Sequence, residues 1–313
     1  MILDSSYRES LGKSLVEIGE SNNDVVVVDS DVSKSTYTKY FAERFPDRFI
    51  SVGISEQDLV GFASGLALGN KIPIAVTFSM FLMRAWEQIR NTIARDKLNV
   101  KLVGTHSGLS DFLDGSSHQS LEDIALMRIL PNFIVLAPSD SISTKKLLYE
   151  SILNHIGPVY IRLGRDNSPR IYDDNEEFKI GRSKVICEGK DIAFFSYGPM
   201  VEIAKILSSN LKNKGISSTV IDFYSIKPFD EDTVLKFSKR SNYIVTLEEH
   251  NVIGGIGDLI SSFLSFKNPK KVIKFGIEDK FGTSARSYFE LLEFFKLLPH
   301  NIEKKLEVII NEL

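Results

Sequence analysis

The sequence predicts an α/β protein with parallel sheets, divided into a larger first half and a smaller second half. Two observations carry that reading. Short apolar runs alternate with segments whose apolar residues recur every three or four positions, the mark of strands joined by helices. One polar, aperiodic stretch at 166–182, which holds Pro169, interrupts the alternation and separates a domain at 1–172 from a domain at 186–313.

Taken in order, residues 8–19 show helical spacing through Leu11, Leu15, Val16 and Ile18, and residues 25–28, four valines, form a fully apolar strand. A strand at 72–78 follows the turn at Gly69-Asn70. A helix is expected at 80–96, with Phe81, Arg84, Trp86, Ile89 and Ile93 spread around it and Trp86 in the core. Residues 100–103 read as a strand, 105–117 as a Gly-, Ser- and Asp-rich loop, 120–129 as a helix and 133–136 as a strand. A helix at 141–153 and a strand at 159–163 complete this half. Alternation resumes with strands at 192–196, 218–223, 243–247 and 272–275. Loops at the carboxyl ends of such strands are where ligands bind in open parallel sheets.

Composition sets the function classes aside by charge. Of 313 residues, 38 are Lys or Arg and 41 are Asp or Glu, a net charge of −3 that gives no footprint for nucleic acid or an anionic membrane. The single cysteine, Cys187, cannot form an internal disulfide, and no run approaches the roughly 20 apolar residues of a membrane span. Cytoplasmic location is the expectation.

The stretch that organises the chain is 51–69. An apolar approach (Phe49, Ile50, Val52) ends at Gly53, and a helix starts with Ser55 as expected N-cap, Asp58 as a capping-box-like partner, and an Ile54–Leu59 staple. Leu59, Val60, Ala63, Leu66 and Ala67 recur at helical spacing, so the helix is expected to be buried on most sides. Glu56 then lies in its first turn at the edge of a dry interior. Acids are common there because they complement the helix dipole, but a buried one must find a specific partner or titrate. The loop at 105–119 carries two of the five histidines and two acids, which suits either a binding site or a solvated loop. Its His and Asp spacing matches no metal-ligand pattern, so no metal is expected on this chain. Phe78 and Phe81 end a strand, where aromatic residues serve either as core or as a platform for a flat ring.

These stretches together resemble the pyrimidine-binding domain of thiamine-diphosphate enzymes, specifically transketolases. The quoted residues are Gly53-Ile54-Ser55-Glu56-Gln57 and the loop Thr105-His106 followed by Asp114-Gly115-x-x-His118-Gln119. The resemblance implies a thiamine-diphosphate-binding-type parallel-sheet pyrimidine domain followed by a smaller α/β transketolase C-terminal domain. It implies thiamine diphosphate as cofactor, with Glu56 hydrogen-bonded to N1′ of the aminopyrimidine and promoting the imino tautomer that deprotonates thiazolium C2. Phe78 and Phe81 would hold the pyrimidine, and Arg84 stands where many transketolases have Tyr. Asp31 matches an Asp near the cofactor. His106, Asp114 and His118 match groups that contact the sugar, with His118 also catalytic. Arg8, Ser35 and Arg165 match the family's anion site and, with His106, make a pocket for a terminal phosphate. Asp111-Phe112-Leu113 and Ser117 depart from the usual pattern, which bears on the substrate more than on the fold.

The run Phe81-Leu-x-Arg84-Ala-x-x-Gln88 is similar to deoxyxylulose-phosphate synthases and split transketolases, and residues 120–131 resemble the latter. Residues 222–230, 248–257 and 275–282 resemble the transketolase C-terminal domain. The resemblance covers nearly the whole chain but about two-thirds of a full transketolase. The Gly-Asp-Gly segment with which the family binds Mg²⁺ and diphosphate is missing, the nearest string being Gly257-Asp258-Leu259. The implied protein is the C-terminal subunit of a split transketolase. An N-terminal partner supplies the diphosphate domain and Mg²⁺, the cofactor lies between subunits, and the assembly is α2β2. The reaction implied is two-carbon ketol transfer between sugar phosphates. The rivals are a 2-oxo-acid dehydrogenase E1 β subunit, a deoxyxylulose-phosphate synthase and a non-catalytic partner-binding module.

Overall fold

The computed structural model describes residues 5–165 and 167–311. In chain order the strands are β1 (Ser5–Ser6), β2 (Val25–Asp29), β3 (Phe49–Ser51), β4 (Ile72–Phe78), β5 (Lys101–Thr105), β6 (Ile134–Leu136) and β7 (Val159–Arg162). They continue with β8 (Asn167–Ser168), β9 (Lys184–Cys187), β10 (Ile192–Ser196), β11 (Ser218–Asp222), β12 (Ser225–Lys227), β13 (Tyr243–Asn251) and β14 (Val272–Ile277). One sheet runs β12-β6-β7-β5-β4-β2-β3, a second β14-β13-β10-β11-β9, and β1 pairs with β8. Both large sheets are parallel except at one edge, where β12 and β9 run antiparallel to their neighbours.

Alternation along β2 shows why the four valines make a strand buried on both faces. Val25 and Val27 point into a cluster with Leu11, Leu15 and Ile18 of the helix Tyr7–Ser21. Val26 and Val28 point to the other side, against Leu59, Val60 and Ala63 of the helix Glu56–Leu68. The second cluster does not stop at the first half: it runs on through Phe195, Tyr197, Phe223, Phe237 and Ile260.

Several elements differ from the sequence reading. The helix expected at 80–96 breaks at Ala85 into Ser79–Arg84, Trp86–Gln88 and a π-helical turn, Ile89–Ala94. The wider i→i+5 turn brings Ile89, Ile93 and Ala94, all buried, onto one face. Trp86 is half-buried and donates from Nε1 to the Leu126 carbonyl at 2.9 Å. The polar stretch after β8 is pinned: Asp140 Oδ2 accepts from the Ile171 and Tyr172 amides, and Tyr172 donates to Asp222 Oδ2 at 2.6 Å. Strand β12 is short, carries no alternation that marks it, and crosses from the second half to close the edge of the first sheet.

A buried polar network joins the halves. Arg162 at the end of β7 donates from Nε to Asp123 Oδ2 (2.9 Å) and from Nη2 to the Glu249 carbonyl (2.9 Å). The Glu249 carboxylate accepts from the Leu109 amide at 2.6 Å. Gly108 lies against it in the left-handed region, where a Cβ would sit 2.6 Å from the Glu249 carboxyl carbon.

Burial pushes the Glu249 carboxyl up to about 7. An acid whose folded pKa is raised holds its proton longer when folded, so its ionisation costs stability between the ordinary carboxylate range and about 7. Glu248 and Asp222, also pushed up to about 7 by burial, act in the same sense. His106 and His250, whose charging burial opposes, act in the opposite sense at the acid end. Glu249→Gln, which still offers an oxygen to the Leu109 amide, is expected to lose less stability than wild type between pH 5 and pH 8. Denaturant melts at several pH values check this.

Candidate active site

Strand register brings the predicted residues to one edge. Asp29 of β2 pairs with Val76 of β4 and Ser51 of β3, Phe78 of β4 pairs with Thr105 of β5, and Gly104 pairs with Arg162 of β7. Because these strands are parallel, the segments that follow them leave the sheet on the same side. Those segments carry Asp31, Glu56, Phe81, His106 and Arg165.

Glu56 opens its helix and is only 7% exposed. Among the described residues its carboxylate has no hydrogen-bond or ion-pair partner. The helix start differs from the expected motif. Ser55 holds the N-cap position, but its side chain makes no capping bond. Ile54 is 83% exposed and so cannot staple onto Leu59. The helix is also buried on one side only: Phe62 and Leu68 are exposed, and nothing lies within 4 Å of a Cβ placed on Gly61 or Gly65.

A group of rings stands at the ends of β4 and β5. Phe78 and Phe81 stack with centroids 4.9 Å apart, and His106 stacks on Phe78 at 3.6 Å. His118 meets Phe81 edge-on at 5.3 Å, with Nδ1 3.0 Å from the Ser117 hydroxyl. Thr105 Oγ1 lies 2.8 Å from His106 Nδ1 and fixes the imidazole. Burial first, then the charges of Arg8 and Arg165, push His106 down to about 2, so its ring is neutral. Arg84 ends the helix Ser79–Arg84 and points to solvent.

Arg8, Ser35 and Arg165 also come together. Arg8 donates from Nη1 to the Ser35 carbonyl and from Nε to the Arg165 carbonyl, each at 2.7 Å. Ser35 thus meets Arg8 through its backbone, not its hydroxyl. Arg165 Nη1 donates to Asp111 Oδ1 at 2.6 Å. Asp31 is exposed in a turn with φ 66°, and Asp114 is exposed beside Asp111. Sequence reasoning did not find the residues that hold this frame. Asp29, wholly buried, accepts from the Val32 amide (2.8 Å) and the Thr38 hydroxyl (2.9 Å), which shapes the turn carrying Asp31 and Ser35. Ser30 donates to Thr77 at 2.7 Å, and Gln119 donates to the carbonyls of Asp111 (3.1 Å) and Thr283 (2.9 Å). The available signal was an acid, Asp29, ending an apolar strand.

Residues 4–170 match the family model "Transketolase, pyrimidine binding domain", and residues 181–302 match "Transketolase, C-terminal domain". The chain belongs to the transketolase family. It is 41% identical over 303 residues to a putative transketolase C-terminal section of Methanocaldococcus jannaschii, covering 96% of this chain and 94% of that protein. It is 35% identical over 276 residues to a 6-deoxy-6-sulfo-D-fructose transketolase subunit of Clostridium sp., covering 88% and 85%. A solved structure described as a split-gene transketolase, inactive beta4 tetramer, superposes with a TM-score of 0.88 at 40% identity, covering 97% of each chain. The chain is thus homologous to the C-terminal section of split transketolases.

Transketolases use thiamine diphosphate, and the residues here fit its aminopyrimidine: a buried carboxylate that lacks a protein partner, and a stacked pair of aromatic rings at the same sheet edge. Among the described residues, no group of three or more His, Cys, Asp or Glu side chains is placed to hold a metal ion.

The His106 ring is expected to stay neutral from pH 8 down to pH 5. Histidine-selective NMR, assigned with His106→Gln, reads this directly; a His106 titration near pH 6.5 would return the imidazole to the cations of the site.

Proposed function

We propose that this chain is the C-terminal subunit of a two-component transketolase, acting with an N-terminal subunit to move a two-carbon ketol unit between sugars. The observation that carries the proposal is Glu56, a nearly buried carboxylate at a helix start with no protein partner. With no protein group bonded to it, this carboxylate is open to a ring nitrogen that shares a proton with it. When bound, thiamine diphosphate supplies the carbanion chemistry of ketol transfer. On this chain Glu56 would hold a proton at the pyrimidine nitrogen, Phe78 and Phe81 would bind the ring, and Arg84 and Asp31 would contact the cofactor. His118, edge-on to Phe81, exchanges protons with the substrate's hydroxyls, and Asp114 and the neutral His106 hydrogen-bond to the sugar. Arg8, Ser35 and Arg165 line its far end.

The division at 1–172 and 186–313 assigns all of these groups to the first domain and a supporting role to the second. Diphosphate and Mg²⁺ fall to the N-terminal subunit. Supporting a partner, Phe62 (41% exposed) and Leu68 (72%) on the outer face of the Glu56–Leu68 helix, and Ile54 (83%) just before it, are apolar and uncovered. Exposed large apolar side chains on one element suit an interaction site. The relatives it matches end to end are themselves a section or subunit, and one of them is described as an inactive tetramer of one chain type. We assign an α2β2 assembly in the cytoplasm; among the described residues, no helix is long and apolar enough to cross a membrane.

Two outcomes test the proposal. The isolated chain should bind thiamine diphosphate weakly and show no turnover, with both restored by the partner; tight, Mg²⁺-dependent binding to the chain alone by calorimetry would overturn the division of labour. In the complex, Glu56→Gln should fold normally and lose at least about 10²-fold in kcat, the size of a general acid–base contribution. Unchanged kcat would reduce Glu56 to a helix-dipole residue.

A further inference from the structure

Of the two guanidinium groups at the far end of the candidate site, one is matched by a carboxylate of the protein. The two are those of Arg165 and Arg8, and His106 between them and Phe78 is neutral. Arg165 is not simply exposed to a ligand: its Nη1 lies 2.6 Å from Asp111 Oδ1, in a pair whose acid is wholly buried and whose base is 25% exposed. Both members are held by their surroundings. The Asp111 carbonyl accepts from Gln119 Nε2 (3.1 Å), the next carbonyl, of Phe112, accepts from the Ala285 amide (2.9 Å), and the Phe112 ring sits 5.7 Å from the Arg165 guanidinium. On the other side, the Arg165 amide donates to Ser110 at 3.0 Å and its carbonyl accepts from Arg8 Nε. The backbone at both members is therefore fixed, which holds the two side chains within reach of each other.

We propose that Asp111 is a specificity-determining residue. By pairing with Arg165 it withdraws one of the two guanidinium charges and biases the site toward sugars with an uncharged, hydroxylated far end over those ending in a phosphate dianion. The proposal rests on the ketol-transfer reading above and narrows its substrate class. A dianion entering this site finds a buried carboxylate beside the cation that would bind it, and like charges in a partly dry site repel strongly. Burial first, and the neighbouring Asp114, push the Asp111 carboxyl up to about 6, so at neutral pH it remains mostly ionised and the repulsion stands. A hydroxyl group meets no such penalty, because it donates to a carboxylate and accepts from a guanidinium.

Two measurements on Asp111→Asn test this, with Asp111→Ser as a second charge deletion of different size. Both use pH 7.5, and melting curves establish folding. On the isolated full chain, inorganic sulfate, a dianion at every pH used, should bind the variants about tenfold or more tightly than wild type, the worth of one charge-assisted contact. In the complex with the N-terminal subunit, the ratio of kcat/KM for xylulose 5-phosphate to that for xylulose should rise at least about tenfold in the variants. Unchanged sulfate affinity, an unchanged ratio, or unfolding of both variants would overturn the proposal. Sulfate binding does not depend on turnover. A reconstituted wild type that turns over neither sugar, with the sulfate response intact, would therefore sink the ketol-transfer reading while leaving the role of Asp111 at the anion position standing.

Discussion

The structure depends on the buried contact of Arg162 with Asp123 and the Glu249 backbone. Arg162 ends β7, an interior strand of the first sheet, Asp123 starts the helix Asp123–Arg128 after the site loop, and Glu249 lies on β13 of the second sheet. Removing one member of such a pair leaves a buried charge uncompensated, at about 3–5 kcal/mol. The same Asp123 oxygen accepts from Tyr160 (2.7 Å), whose hydroxyl lies 2.8 Å from Ser79 Oγ, so the network reaches the first residue of the helix that carries Phe81. The second half thus supports the site from behind: Glu249 holds the Leu109 amide, and Thr283 and Ala285 receive or hold the loop around Asp111 and Phe112.

Over that support, parallel register decides which side chains meet. Glu56, Phe78, His106 and Arg165 are far apart in sequence, yet each follows or ends a strand whose neighbour is fixed one residue at a time. A slip of one residue in β4 against β5 would turn Phe78 to the opposite face of the sheet and separate it from His106. The valines of β2, which divide their side chains between two cores, are what such a slip would cost most.

Much of this was legible in the sequence because it is periodic. The valine run, the helix at 141–153 and the strand at 72–78 all announce themselves by what they bury. The candidate site residues were singled out through a resemblance in short motifs rather than through periodicity. What could not be read was non-local. Strand β12 is three residues long and earns its place only by pairing with β6, some ninety positions away. The segment after β8 looks like a solvated linker because Tyr172 and Phe178 are sparse in it, yet both are buried, Tyr172 against Asp222 and Phe178 against Tyr224. Ser55 and Asp58 had the composition of a capping box, but the backbone entering from Gly53 does not present the Ser55 side chain to the helix. The pairing of Arg165 with Asp111 lay equally out of reach, since nothing in either segment names the other.

The electrostatics of the cleft follow from that last point. A site assembled from Arg8, Arg165, His106 and His118 reads in sequence as cationic, yet folding offsets part of that charge. His106 loses its proton to burial against Phe78, Arg165 is matched by Asp111, and Arg8 spends donors on two backbone carbonyls. Glu56 is the counterexample, a charge-bearing group that folding buries and leaves without a partner among the described residues. The chain thus matches charge where Arg165 meets Asp111, and at the helix start Glu56 has no protein partner among the described residues. The most binding free energy is available where a polar group is buried and unpaired. By that measure Asp111 Oδ2, buried and without a partner beside Arg165, counts together with Glu56 as a place where a ligand's donor would gain.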